Sequence, residues 1–245
     1  MAGHSKWAQI KRKKGVADAR RGLLFSKIAR MIILAARGGD TNPESNVRLA
    51  LAINRARAID MPKDGIERAI AKASGKDALA VEEFLYEAYG PGGGALLIEG
   101  ITDSTNRTTQ EIKHILVEHG GKLANPGTVA WMFKKWSELV LDRGKNVLSV
   151  DELELVAIDA GAESTDRDDD CITARFDQSE ARRAEAFFRT RDIHVRDISS
   201  SYIPTQPISV PSTSLQPLTK LIEALEEHPD VSSVYTNIDP LYARS

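Results

Sequence analysis

The 245-residue sequence lacks several features that would place it in a special class of protein. A single cysteine, Cys171, excludes an intramolecular disulfide and a zinc site built from several cysteines. The longest apolar run, from Met31 to Ala36, is far shorter than the roughly 18–20 residues that a membrane-spanning helix needs, and no secretory signal precedes it. Aromatic residues make up only 6% of the chain, but a hydrophobic fraction of 42% excludes general disorder. We therefore expect a cytoplasmic protein with buried cores.

The sequence also lacks the motifs of catalytic and metal sites. His114 and His119 are five residues apart, which is not the spacing of a helical zinc motif. The acidic segment 166–170 has neither the glycine nor the glutamate of a calcium loop, and we expect a solvated turn there. The glycine-rich segment 90–94 lacks the Gly-Lys-Ser/Thr ending of a phosphate loop, which favours a tight turn between strands. The sequence thus predicts a protein that is not an enzyme, with no cofactor and no bound metal.

Charge is distributed very unevenly along the chain. Residues 1–76 hold 17 lysines and arginines against 6 acidic residues, whereas the remainder holds 16 against 29. Such asymmetry is typical of a basic region that binds a polyanion and is attached to an acidic body. The alternative is that the acidic part of the chain neutralises the basic part within the molecule.

The basic region interleaves cations with an aromatic residue, which is a pattern found in nucleic-acid-binding segments. Its candidate contact residues are Lys6, Trp7, Lys11, Arg12, Lys13, Lys14, Arg20, Arg21, Lys27 and Arg30. The cations would meet phosphates, and Trp7 would either stack on a base or anchor the segment to neighbouring helices. The lysines could instead form a solubilising tail. A membrane surface also attracts basic amphipathic helices, but packing between helices accounts for the apolar stripe, so we expect no membrane partner.

The first 80 residues are expected to form a basic, all-helical domain. Apolar residues at three- and four-residue spacing predict a helix from about residue 17 to residue 37, where Gly38 and Gly39 end it. A second helix is predicted over residues 43–60, and a third from Pro62 to Gly75.

From residue 84 onward, short strands alternate with helices. Strands are predicted at 84–89, 95–99 and 128–133, with a helix at 105–119. Residues 137–201 show the complete βαββαβ order of a ferredoxin-like domain. A proline-rich stretch follows, then a helix at 215–227 and a strand at 231–235, with a further strand at 208–210.

The sequence therefore predicts an α+β multidomain protein, in which an all-helical domain precedes two ferredoxin-like α+β domains, one inserted in the other. The expected domains are residues 1–80, a split domain of residues 81–133 with 204–245, and an inserted domain of residues 134–203.

Several motifs resemble those of the YebC proteins. They include the opening Met1-Ala-Gly-His-Ser-Lys-Trp7, the run Met61-Pro-Lys-Asp-Gly-Ile-Glu-Arg-Ala-Ile70 and Tyr86-Glu-Ala-Tyr-Gly-Pro-Gly-Gly93. Asn106-Arg-Thr108 and Gly120-Gly121 agree with the same family, so the resemblance covers essentially the whole chain.

The resemblance implies three domains and a role in regulating gene expression. Members of the family are described as DNA-binding transcriptional regulators, and relatives include a mitochondrial translational activator and ribosome-associated factors that assist synthesis of proline-rich stretches. The expected partner is therefore nucleic acid, either DNA or ribosomal RNA, and in the second case the ribosome itself. No helix-turn-helix, zinc-finger or RNP motif is evident. This favours recognition of the phosphate backbone or the shape of the nucleic acid over recognition of its base sequence. The sequence indicates no particular oligomeric state.

Overall fold

The structure is a computed structural model that describes residues 18–74, 80–168 and 170–238. The helices are α1 (Asp18–Arg37), α2 (Val47–Ala58), α3 (Lys63–Ala73), α4 (Thr105–Glu118), α5 (Val150–Asp159), α6 (Ala181–Thr190) and α7 (Ser212–Glu227). The strands are β1 (Glu82–Tyr89), β2 (Ala95–Thr102), β3 (Lys122–Leu123), β4 (Phe133–Asp142), β5 (Ser164–Arg167), β6 (Cys171–Asp177), β7 (Val195–Pro204) and β8 (Val231–Thr236). The chain divides into two compact units: a larger one, which runs up to Phe133 and resumes at Pro204, and a smaller one, Lys134–Ile203.

The three N-terminal helices confirm the predicted helical region, with α1 packed against both α2 and α3. Their shared core includes Ile28, Ile32, Leu49 and Ile53, which are the apolar positions at helical spacing.

The second helix begins at Val47 rather than at residue 43, because Asn46 caps it. The Asn46 side chain accepts a hydrogen bond from the Leu49 N–H at 3.1 Å. Its amide group donates to the carbonyl oxygens of Ala35 and Asp40, at 2.8 and 2.7 Å. Asn46 thus joins the end of α1 to the start of α2, and the prediction of helix over residues 43–46 was wrong.

The first sheet has the strand order β3-β1-β2-β8. Strands β1 and β2 form an antiparallel pair in which Glu82 lies opposite Thr102 and Tyr89 lies opposite Ala95. Helices α4 and α7 cover one face of this sheet and share a core with it. On the other face, Ile101 of β2 joins the core of the N-terminal helices. The N-terminal helical domain followed by α+β structure is therefore confirmed.

The split domain was also expected to be ferredoxin-like, but the connectivity of its sheet differs from the βαββαβ order of that fold. The elements follow the order β1, β2, α4, β3 before the smaller unit and α7, β8 after it. Residues 208–210 contribute only a single bridge, from Ile208 to Ile238, instead of a strand.

The predicted strand 128–133 was also wrong over most of its length. Residues 126–129 form turns and bends, Ala130–Met132 forms a 3-10 turn, and Phe133 begins β4. The reason is the Glu87 carboxylate, which accepts hydrogen bonds from the backbone N–H groups of Gly127, Val129 and Ala130. Because these donors are bound to a side chain, they are not available for a strand ladder.

The smaller unit has the predicted βαββαβ order, with β4, α5, β5, β6, α6 and β7 in sequence. Its strand order in space, β5-β6-β4-β7, is that of a ferredoxin-like sheet. Leu139, Ile172, Phe176 and Phe188 lie in its core with the inner faces of α5 and α6.

The glycine-rich segment forms the turn between β1 and β2. The Gly90 N–H donates to the Gly94 carbonyl oxygen at 2.8 Å, and Gly92 and Gly93 have φ angles of +74° and +80°. A Cβ atom on Gly92 would lie 2.9 Å from the Cβ of Ser214 in α7. The positive φ angle and the close packing against α7 therefore both favour glycine at position 92.

Within the described residues, no helix is both long enough and apolar enough to cross a membrane.

Candidate nucleic-acid interface

The structure describes only part of the predicted contact surface. Lys6, Trp7, Lys11, Arg12, Lys13 and Lys14 lie outside the described residues. Arg20 belongs to α1, but its side chain also lies outside what is described. The described candidates are therefore Arg21, Lys27 and Arg30, all on α1.

Arg21 lies on the exposed side of α1, with 54% of its side chain accessible. Its guanidinium group is 3.9 Å from the Asp60 carboxylate, which is itself 86% exposed. A solvent-exposed ion pair at this distance contributes little to stability. Arg21 is therefore accessible to a phosphate group.

Lys27 lies instead against the last turn of α7, and Arg30 lies against the loop that joins α7 to β8. The Lys27 ammonium group donates to the Glu226 carbonyl oxygen at 2.6 Å. The Arg30 guanidinium donates to the Pro229 carbonyl oxygen at 3.1 Å and lies 2.8 Å from the Asp230 carboxylate. These two cations thus join the N-terminal helices to the first sheet, and their role in nucleic-acid binding stays a prediction.

Asp230 is the anion at this junction between α1 and the loop before β8, and only 1% of its side chain is exposed. Besides Arg30, its carboxylate accepts hydrogen bonds from Arg107 at 2.8 Å and from the hydroxyl groups of Thr108 and Thr102, at 2.6 and 3.1 Å. Burial opposes ionisation, but the hydrogen bonds and the two guanidinium groups outweigh it, so the pKa of Asp230 is lowered. The ionised carboxylate therefore stabilises the junction.

The backbone of Asp230 is held closely as well. Its carbonyl oxygen accepts a hydrogen bond from the Ile101 N–H at 2.9 Å. A Cβ atom on Gly100 would lie 2.0 Å from the same oxygen. The glycine in β2 therefore allows the loop before β8 to approach the sheet.

Glu111, His228 and Asp230 have potential ligand atoms within 4.8 Å of one another, which is compatible in distance with a metal site. His228 accepts a hydrogen bond from the Asp230 N–H on Nδ1 at 3.1 Å, so its Nε2 carries the proton that faces Glu111 at 2.9 Å. A divalent cation there would also approach the Arg30 and Arg107 guanidinium groups that already bind Asp230. The geometry therefore favours an ion-pair network over a metal centre.

The structure also adds exposed cations that the sequence-based prediction missed. Arg48 and Arg57 on α2 and Lys72 on α3 are exposed. Each lies on a helix whose buried apolar residues recur every three or four positions, and a position outside that apolar stripe is expected to be exposed. This pattern in the sequence could have identified them. Together with Arg21 they show that each of the three helices carries at least one exposed cation.

Three residues to which the sequence assigns no catalytic or metal-binding role lie on other elements. Cys171 is buried in β6, and burial raises the pKa of its thiol. His114 is 81% exposed on α4, and His119 follows the end of that helix, where its ring lies 3.0 Å from the Ile115 carbonyl oxygen.

Comparisons with known proteins agree over nearly the whole chain. Residues 5–76 match the N-terminal domain of TACO1/YebC proteins, and residues 81–238 match the second and third domains. A protein of Thermomicrobium roseum is 44% identical over 97% of this chain and 96% of its own length. One of Halothermothrix orenii is 42% identical over 98% of this chain and 95% of its own length. Both carry the name "Probable transcriptional regulatory protein".

A solved structure shows the same fold. The crystal structure of a conserved hypothetical protein from Aquifex aeolicus has a TM-score of 0.80 and 36% sequence identity, and the match covers 96% of this chain and 97% of the other. The chain therefore belongs to the TACO1/YebC family.

Proposed function

We propose that this protein is a non-enzymatic regulator of gene expression that acts in the cytoplasm by binding nucleic acid through its basic N-terminal helical region. The relatives named as transcriptional regulatory proteins make DNA the first partner to test. Ribosomal RNA is the alternative, because phosphates dominate the affinity for either polymer.

The segregation of charge is the observation that carries this proposal. Residues 1–76 hold 17 basic and 6 acidic residues, and the acidic excess lies entirely in the rest of the chain. The described part of the basic region exposes Arg21, Arg48, Arg57 and Lys72 on its surface. A polyanion would therefore be attracted to the helices and repelled by the acidic domains.

Neutralisation within the molecule accounts for only part of the basic charge. Lys27 contacts the last turn of α7 and Arg30 contacts the loop that follows it, but Arg21 and the exposed cations of α2 and α3 are accessible to solvent. Enough cations thus stay accessible for several phosphate contacts, without any motif for reading base edges.

The salt dependence of binding tests the proposed contacts. The full chain would be titrated against a duplex DNA and a structured RNA of similar length at several salt concentrations. Replacing Lys11, Lys13 and Lys14 with alanine is expected to lower the slope of log K against log salt by about 0.7–0.9 for each phosphate group that is no longer neutralised. The matched control replaces Lys113, Lys145 and Lys220, three lysines of the acidic region, and is expected to leave the slope unchanged. An unchanged slope in the first variant would assign its lysines to a solubilising tail.

Sedimentation of a cell lysate separates the two partners. With DNA as the target, the protein stays out of the ribosomal fractions at low salt. Migration with ribosomal particles that ribonuclease or added salt abolishes would identify RNA as the partner instead.

A further inference from the structure

Trp131 is the most exposed aromatic side chain among the large hydrophobic residues of the described chain, with 69% of its surface accessible. Its indole N–H donates to the Thr128 carbonyl oxygen at 2.9 Å, within the same loop. The polar atom of the ring is therefore already bound, and the exposed ring surface is left for contact with a partner. Such a ring is suited to stacking rather than to hydrogen bonding.

The loop that carries Trp131 is held at both ends. On one side, Glu87 binds the N–H groups of Gly127 and Val129 at 2.5 Å and that of Ala130 at 2.9 Å. On the other side, the Met132 carbonyl oxygen accepts hydrogen bonds from the Thr205 N–H and hydroxyl, at 2.8 and 3.0 Å. The exposed ring is thus fixed before any partner binds, which lowers the entropic cost of binding.

The segment that includes this loop carries little negative charge of its own. Residues 119–133 include no acidic residue and one lysine, Lys122, although they belong to the acidic part of the chain. The nearby Glu87 carboxylate is buried and faces several backbone N–H groups. A phosphate backbone would therefore meet little repulsion at Trp131.

We infer that Trp131 is a stacking platform for an unpaired nucleobase, and so forms a second contact site on the nucleic acid that the basic helices bind. This inference rests on the proposed function. Every base has a π face, so stacking on Trp131 would add affinity without reading sequence, and it requires a single-stranded segment or loop because duplex bases are already stacked. Val117, which is also exposed, has no aromatic face and provides a matched control.

The experiment compares the full chain with the variants Trp131→Ala, Trp131→Phe and Val117→Ala. The probes are an unstructured 20-nucleotide RNA, the DNA of the same sequence, and the corresponding DNA duplex. Trp131→Ala is expected to weaken binding of the single strands about five-fold or more, because a base can no longer stack on the indole ring. Trp131→Phe is expected to retain most of the affinity, and Val117→Ala all of it.

Two further readouts distinguish stacking from other effects. The salt slope of the Trp131→Ala variant should equal that of the wild type, because every cation that meets a phosphate is still present. Its affinity for the duplex and its thermal midpoint should also be unchanged, because the ring is exposed in the folded protein.

Single-strand affinity that is unchanged in Trp131→Ala would overturn the inference. An equal loss for single strands and duplex would overturn it as well. In both cases the wild type still binds nucleic acid, and the proposed function stands. Failure of the wild type to bind any probe would instead contradict the proposed function.

Discussion

Two buried carboxylates in the larger unit, Asp230 and Glu87, are stabilised in different ways. Asp230 faces two arginines and two hydroxyl groups, and one of the arginines belongs to an N-terminal helix. Glu87 is bound by backbone N–H groups of a single loop. In both cases burial opposes ionisation but is outweighed, so the pKa lies below its ordinary value.

The difference shows what each carboxylate organises. Asp230 draws Arg30 of the basic helical region onto the sheet, so that side-chain charge joins two parts of the chain. Glu87 fixes the backbone of the loop that carries Trp131 and involves no cation. The first arrangement pairs a cation of the candidate interface with an anion, and the second places an ionised carboxylate against the backbone N–H groups of the loop.

The largest loss of stability is expected for the variant Asp230→Ala. Removing this carboxylate leaves Arg30 and Arg107 without their shared anion and should lower the free energy of unfolding by about 3–5 kcal/mol. Urea unfolding measures the change. The control Asp103→Ala removes another, more exposed partner of Arg107 and should cost about 1 kcal/mol or less. Equal costs would contradict a central role for Asp230.

A smaller loss is expected from Glu87→Gln. One amide oxygen cannot replace a carboxylate that accepts three N–H bonds, so stability should fall by about 1–3 kcal/mol. Hydrogen exchange of the Val129 amide should accelerate selectively. Glu83→Gln, at an exposed position of the same strand, is the control. Unchanged exchange at Val129 would show that the loop does not depend on Glu87.

The two carboxylates also predict a dependence of stability on pH. Their folded-state pKa values are lowered, so their contributions are present above the unfolded values near 4 and are lost as the pH falls through the folded values. The difference in unfolding free energy between the wild type and Glu87→Gln should therefore shrink below about pH 4. A difference that stays constant down to about pH 2 would argue against ionisation as its cause.

The smallest effect concerns nucleic-acid binding by Arg21 and Arg30. Arg21→Met should lower the salt slope by up to about 0.9, as for one phosphate contact, whereas Arg30→Met should lower it less because Asp230 already binds Arg30. Binding measured at several salt concentrations compares the variants. Equal reductions would show that nucleic acid displaces Asp230 from Arg30.

Much of the fold could be predicted because it depends on neighbours in sequence. The apolar stripe of α1 and the alternation of strands and helices in the smaller unit are both local patterns. The wrong predictions concern segments whose backbone N–H groups are bound by a side chain, close in sequence for Asn46 and distant for Glu87. Glu87 binds the N–H groups of residues expected to form a strand, and Asn46 links α1 to the start of α2.

For the candidate interface, the sequence alone determined the sign and location of the charge, because composition does not depend on folding. It also supplied the family motifs. Only the tertiary structure decided which side chains are accessible, since Arg30 meets Asp230 from the other end of the chain and Trp131 is exposed while the nearby Phe133 is buried. Exposure and ion pairing are set by the packing of distant segments against one another, and that packing exists only once the chain has folded.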